Sequence, residues 1–313
     1  MKRSRRSFLK WSAAGAAGLF VASPANTQPP ISGCVRLPDG RRIAFTEYGN
    51  PDGMDVVIYH HGFPSSRHEA EVLVPALCAH PNVRLISLDR SGIGDSDRVE
   101  HLSFCGWARD LELCADALRL SRFALTGTSA GTPFSLAAAL AMPQRVSRVV
   151  MASPLSEQIP GRNNGDAAWL LRLAHSCPRS AAAVLEAGHA IVKRNHNAVV
   201  KLTLLSPIEK EMLKDPAKVD LVAKLQLECG KHGSAGPVQL AGLLPGPWGL
   251  PLSRVSVPVT LFHGTEDRLA PPWMSPYLAG QIPGATFRIV PGEGHLSLPY
   301  NHAAEILAAA ASG

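Results

Sequence analysis

Gly127-Thr128-Ser129-Ala130-Gly131 stands between two stretches of different character. Before it runs Arg122-Phe123-Ala124-Leu125-Thr126, apolar and of strand length. After it come residues 132–142, rich in Ala and Leu and helical in composition. Gly-x-Ser-x-Gly in that setting reads as a turn from strand to helix so tight that the serine is held in a strained backbone conformation. A glycine two residues to either side avoids a Cβ clash where strand and helix close up. The serine hydroxyl then stands clear of the sheet, and the N–H of Ala130 opens the following helix, where it can meet a carbonyl oxygen.

The flanking chain extends this strand–helix alternation. Residues 34–37, Pro38-Asp39-Gly40 and residues 41–48 read as a β-hairpin with an Asp-Gly turn. Residues 55–59 form an apolar run ending in His60-His61-Gly62-Phe63-Pro64. Residues 72–80 have helical spacing, and 83–88 form a buried strand closing in Asp89-Arg90-Ser91-Gly92-Ile93-Gly94-Asp95-Ser96. The stretch 107–120 is amphipathic, with Leu111, Leu113, Ala117, Leu118 and Leu120 expected inward and Arg109, Asp110, Glu112, Asp116 and Arg119 outward. Residues 146–152 make a further buried strand. These strands are continuous apolar runs, the mark of a parallel sheet covered on both faces.

The alternation then breaks. From 155 to 255 no buried strand is expected, only helical stretches such as 167–174, 181–192 and 217–228, closed by a Pro/Gly-rich passage at 237–251. It resumes with strand 257–262, a helical stretch at 272–282, strand 286–290 and a helix at 302–311. The expected architecture is α/β: a mostly parallel twisted sheet with helices on both faces, built from 26–154 and 256–313, with 155–255 inserted as a helical cap.

A serine hydroxyl is a weak nucleophile near neutral pH and needs an adjacent base, itself oriented by a third group. In such sheets the partners come from loops at the carboxyl ends of strands, in the order serine, acid, histidine. Strand 257–262 is followed by His263-Gly264-Thr265-Glu266-Asp267, and strand 286–290 by Pro291-Gly292-Glu293-Gly294-His295. Ser129, an acid at 266 or 267, and His295 therefore fall in that order. His263 reads as packing beneath the acid loop, and Asp89 and Asp95 as fixing a turn.

On these residues the chain resembles the α/β-hydrolases with a helical cap, from residue 43 to the C-terminus. The motifs are His61-Gly62-Phe63-Pro64, the Asp89-Arg90-x-Gly-x-Gly-x-Ser turn, the Ser129 elbow, Gly264-x-x-Asp267 and Gly292-x-Gly294-His295. The resemblance implies Asp267 rather than Glu266 as the acid, His61 as a structural residue of its loop, and an oxyanion hole formed by the N–H groups of Phe63 and Ala130. No cofactor is expected, and no metal either, since no metal-ligand spacing appears in the sequence. Relatives that open epoxides or remove halogens use an aspartate where Ser129 stands, so serine chemistry is expected on a small-molecule acyl substrate. An ester hydrolase for small or medium apolar acyl groups is the leading expectation. A proline-iminopeptidase-like amidase and a non-catalytic binding scaffold stay open beside it. In the cap, Trp169, Leu170, Leu171, Leu173, Leu240, Leu243, Leu244, Trp248 and Leu250 could line an apolar pocket or pack the cap onto the sheet. Glu157, Asp166 and Glu228 are candidate holders of a substrate ammonium group.

The net charge of +6 does not describe the folded body. Of the 31 Lys and Arg, five (Lys2, Arg3, Arg5, Arg6, Lys10) lie in residues 1–25 with no acid, leaving 26 against 25 acids. The basic balance is therefore not a nucleic-acid surface. Ser4-Arg5-Arg6-Ser7-Phe8-Leu9-Lys10 resembles the twin-arginine export motif, followed by a weakly apolar run (11–22) and a cleavage site at Ser23-Pro24-Ala25. That run is too short to span a bilayer, which takes about 20 apolar residues. Residues 1–25 are thus expected to engage the twin-arginine machinery and deliver a folded protein to the periplasm or beyond, with no lasting membrane span. Ile31-Ser32-Gly33-Cys34 could pass as a lipoprotein box but is read as a strand start. The cysteines at 34, 78, 105, 114, 177 and 229 form no Cys-x-x-Cys pair and are read mostly as small buried residues.

Overall fold

The structure is a computed structural model that describes residues 29–202 and 205–311; the segment read as an export signal lies outside them. Eight strands form one sheet: β1 (Ile31–Arg36), β2 (Arg42–Gly49), β3 (Asp55–His60), β4 (Val83–Leu88), β5 (Phe123–Thr128), β6 (Val146–Ala152), β7 (Val259–Gly264) and β8 (Thr286–Val290). Their order is β1-β2-β4-β3-β5-β6-β7-β8. β2 runs antiparallel to β1 and β4, and the strands from β4 to β8 are parallel. The Asp39-Gly40 turn joins β1 to β2, and Cys34 pairs with Ala44 inside the hairpin, so Ile31 to Cys34 is strand. β5 is buried along its whole length near the middle of the sheet, as its apolar run requires.

Helices α1 (Phe104–Ala117) and α2 (Gly131–Ala141) pack together on one face of the sheet. Their inward residues include Trp107, Leu111, Phe134 and Leu136, all fully buried. Each such large apolar side chain contributes roughly 1.5–3 kcal/mol on leaving water. Between β6 and β7 come α3 (Ala168–Ser176), α4 (Pro178–Arg194), α5 (Ala198–Leu202), α6 (Pro207–Met212), α7 (Pro216–Cys229) and α8 (Ala235–Leu243), and no strand among the described residues. Leu171, Leu240, Leu244 and Trp248 of this segment belong to the same apolar cluster as β5 and α2, so they pack the segment onto the body. Trp169 instead is half exposed. The chain closes with α9 (Met274–Ala279), α10 (Ser297–Asn301) and α11 (Ala303–Ala311).

Several local expectations need correction. The helical stretch placed at 72–80 begins at Arg67 and is a 3-10 helix, Arg67–Ala79, with Pro75 inside it. In α1 the buried face is Phe104, Trp107, Ala108, Leu111, Cys114 and Ala115, while Leu113 and Ala117 are exposed. Asp110 is buried instead of solvated, because Arg41 meets it with two hydrogen bonds of 2.7 Å. Cys114 and Cys229 are buried, but Cys34, Cys78, Cys105 and Cys177 are exposed; all six are free thiols.

Candidate active site

Ser129 stands at the turn from β5 into α2 with φ +53°, the left-handed region that a residue with a Cβ enters only under strain. The flanking glycines make the turn possible. A Cβ on Gly127 would lie 2.1 Å, and one on Gly131 2.3 Å, from the carbonyl oxygen of His60 at the end of β3. Backbone at that distance cannot give way, so both positions require glycine. The Ser129 carbonyl accepts the N–H and hydroxyl of Thr132 and the N–H of Leu155, and its own N–H donates to Ala152 at 3.1 Å.

Asp267 follows β7 and His295 follows β8, and the structure brings them together: Nδ1–H of His295 donates to Asp267 Oδ2 at 2.8 Å. Oδ2 is also 3.2 Å from His263 Nε2, while Oδ1 accepts the N–H groups of Leu269 and Ala270. Burial alone would raise the Asp267 carboxyl; the charge of His295 and the hydrogen bonds from His263 and His295 outweigh it and hold the group at about 2. Burial alone would lower His295, but the charge and hydrogen bond of Asp267, with further help from Glu209 and Glu69, raise it above its ordinary value. With Nδ1–H committed to Asp267, the lone pair of the neutral ring is on Nε2. Glu266 is exposed, with no part in this pair.

The end of β6 links the pair to the serine. Ser129 donates to Ala152, and the next residue, Ser153, donates its hydroxyl to the His295 carbonyl at 3.0 Å and its N–H to Phe262 of β7. Ser129 and His295 are 8% and 6% exposed, a site largely shut from water.

The loop after β3 carries the first expected oxyanion donor. Glu69 accepts the Gly62 N–H at 2.6 Å, and Arg90, fully buried, donates to the carbonyls of His61 at 2.6 Å and Gly62 at 2.8 Å. The loop is thus gripped on its N–H and carbonyl sides just before Phe63. Among the described residues neither Phe63 nor Ala130 spends its backbone N–H on a hydrogen bond. His61 Nδ1 lies 2.9 Å from both the Gly62 carbonyl and an Arg90 guanidinium nitrogen, and Nε2 faces the Arg90 backbone N–H at 3.4 Å; burial holds the ring well below its usual range, matching its expected structural part. Asp89 accepts from the Arg67 side chain and backbone and from the Asp95 N–H, which fixes the turn after β4. Sequence reading missed Glu69 because a single acid near the start of a helix carries no pattern of its own; only its nearness to His-Gly could have drawn notice. No group of His, Cys, Asp and Glu suited to a metal occurs among the described residues.

The acids between β6 and β7 are engaged. Glu157 accepts the Trp248 N–H at 3.1 Å, Asp166 pairs with Arg268 at 2.9 Å, and Glu228 with Lys231 at 3.4 Å. The other five, among them Glu186 and Glu209, also have partners.

Residues 55–301 match the family model of the alpha/beta hydrolase fold, and residues 4–22 that of the twin-arginine translocation pathway signal sequence. A putative proline iminopeptidase of Mycoplasma pneumoniae is 33% identical over 129 residues, 40% of this chain and 41% of that protein. The chain spans about two fifths of the length of the curated relatives it matches first. Among solved structures, the enol-lactonase of Burkholderia xenovorans superposes with a TM-score of 0.68 at 18% identity, over 88% of this chain and 98% of its own. An esterase from Rhodococcus gives 0.65 at 22%, over 89% and 98%.

Proposed function

The chain belongs to the α/β-hydrolase fold family, and from that membership we propose that it is a serine hydrolase whose nucleophile, base and acid are Ser129, His295 and Asp267. It carries a twin-arginine signal, and the proposed place of work is the periplasm or the medium outside the cell. The observation that carries the proposal is the Asp267–His295 bond of 2.8 Å, joined through the end of β6 to a serine strained at φ +53°. In the proposed cycle His295 Nε2 takes the Ser129 proton as Oγ attacks an acyl carbon. Asp267 steadies the imidazolium, and the N–H groups of Phe63 and Ala130 receive the oxyanion. The protonated ring then gives its proton to the leaving group, and water repeats the sequence on the acyl-enzyme.

The proposed substrate is an ester with a small or medium apolar acyl group, chosen by residues 155–255 acting as a cap. An ammonium group buried without a carboxylate partner is costly, and every acid of that segment already has a partner. The iminopeptidase relative supports a second reading, in which one of these pairs opens to hold a substrate amine. A panel of short acyl aryl esters set against aminoacyl anilides separates the two. Faster turnover of the esters is expected, and a clear preference for a proline anilide overturns the ester reading while leaving the triad standing.

A further inference from the structure

Glu209 is the third residue of α6, and its Ser206-x-x-Glu209 spacing marks it only as part of a helix cap. Its carboxylate is buried, with the residue only 1% exposed. Oε2 accepts the N–H of Ser206 at 2.7 Å and its hydroxyl at 2.8 Å. That is a capping box, normally a surface device that one oxygen completes. Here the second oxygen reaches a distant part of the chain: Oε1 accepts the N–H of Leu296, the residue after His295, at 2.6 Å. The residue before His295 is shaped to the same group. A Cβ on Gly294 would come within 2.7 Å of the Glu209 carboxyl carbon and 2.5 Å of Ser206 Oγ, so only glycine leaves room.

We propose that Glu209 is a positioning residue for His295, fixing the loop that carries the imidazole and setting a negative charge beside it. The segment that would choose the substrate is thereby also part of the support of the base. This rests on the reading of Ser129, Asp267 and His295 as a triad.

The chemistry calls for a carboxylate. Both oxygens face N–H or O–H donors, so a glutamine would set its NH₂ against one of them. Three acids act on His295: Asp267 from the loop after β7, Glu69 from the 3-10 helix and Glu209 from α6, with His263 behind Asp267. Burial opposes them. Each carboxylate favours the imidazolium that forms as Ser129 attacks, and each raises the pH at which the resting ring becomes free to act as a base. Losing the Glu209 charge therefore moves the acid limb of the reaction to lower pH, while losing the loop support slows the reaction at every pH.

The test uses the full chain and a fluorophosphonate, whose reaction with Ser129 needs the base but not the natural substrate. Labelling rates are followed from about pH 5 to about pH 9, where a histidine titrates, with melting curves for every variant. Glu209→Gln is expected to label roughly tenfold more slowly, with its midpoint lowered by about half a pH unit. Glu209→Asp keeps the charge, and its midpoint is expected to stay with the wild type. A folded Glu209→Gln with wild-type rate and midpoint overturns the proposal. So does slow labelling with an unmoved midpoint, the pattern of a cap that is only structural. Should Glu209→Gln not fold, Gly294→Ala, whose new methyl pushes the carboxylate away, must lower the midpoint, and an unmoved one overturns the proposal. Wild-type protein that never labels at Ser129 instead overturns the triad reading, and this proposal with it.

Discussion

Glu69 accepts the backbone N–H of Gly62 at 2.6 Å on a carboxylate that is itself buried, close to the turn that carries Ser129. A Cβ placed on Gly62 would meet the Glu69 oxygens at 3.4 and 3.5 Å and the Ser129 Cβ at 3.5 Å. The acid that holds the proposed oxyanion loop and the serine that it serves therefore flank the same glycine. Burial raises the Glu69 carboxyl, against the Gly62 N–H, Arg90 and the Tyr59 hydroxyl, which pull it down.

Glu69→Ala releases the Gly62 N–H and leaves the Phe63 N–H poorly aimed. Turnover is expected to fall by about 10²-fold, the scale of one lost oxyanion donor, with a smaller change in KM. Glu69→Gln can still accept the Gly62 N–H through its carbonyl and donate to the Tyr59 hydroxyl, so it should keep most activity. Steady-state kinetics on the best ester checks both, and equal damage from the two would mean that the charge Glu69 sets near His295 outweighs its hold on the Gly62 N–H.

The two acids after β7 should rank sharply. Asp267→Asn removes the charge that orients His295 and is expected to cost about 10⁴-fold in turnover. Glu266 is exposed, and Glu266→Gln should stay within about threefold of wild type, the ordinary scale for a surface change. Kinetics of the two variants decides, and the reverse ranking would move the acid to Glu266.

Gly131→Ala places a methyl 2.3 Å from the His60 carbonyl oxygen, with backbone on both sides. Destabilisation of more than about 3 kcal/mol is expected, the range of severe strain or overpacking. Denaturant midpoints measure it, and a stable, fully active variant would show that the turn is looser than described.

His60 is fixed neutral in the core. Its Nε2 accepts the Trp107 indole N–H at 3.0 Å and its Nδ1–H donates to Ser135 at 2.8 Å. Burial, helped by the charge of Arg90, lowers it to about 3. Below its unfolded value of about 6.5 the unfolded chain takes up a proton that the folded chain refuses. The stability this group supports is therefore full above about pH 6.5 and drains away as the pH falls towards its folded value. Between about pH 6.5 and pH 4 the loss is on the order of 3 kcal/mol. Urea titrations of wild type and His60→Asn across that window should show a steeper acid slope in the wild type; parallel slopes would mean the ring is charged in the fold.

Much of the sheet could be read from the chain because it is buried on both faces. Strands 83–88, 146–152 and 286–290 match β4, β6 and β8 to the residue, since short runs rich in β-branched and apolar residues bounded by turns leave little choice, even for β8, whose first three residues are exposed. What escaped were polar groups buried by remote partners. Asp110 reads as solvated on a helical wheel, and Arg41, 69 positions away, with the Ser91 hydroxyl, lets it be buried. Arg67 and Glu69 begin the 3-10 helix early because Asp89 and Gly62 hold them, contacts with no local signature. The residues proposed for chemistry were legible because each follows the carboxyl end of a strand with a glycine within three positions. Glu69, Arg90 and Glu209, which support them, act across the fold, and the spacings that mark Arg90 and Glu209 point only to a turn and to a helix cap.

The central claim is that Ser129 is a nucleophile. Its most direct measurement is mass analysis of the purified full chain after exposure to a fluorophosphonate, with peptide mapping of the adduct and Ser129→Ala as comparison. One adduct per chain, on Ser129 and absent from Ser129→Ala, is the expected result. A folded chain that takes no adduct, or takes it on another residue, would contradict the account.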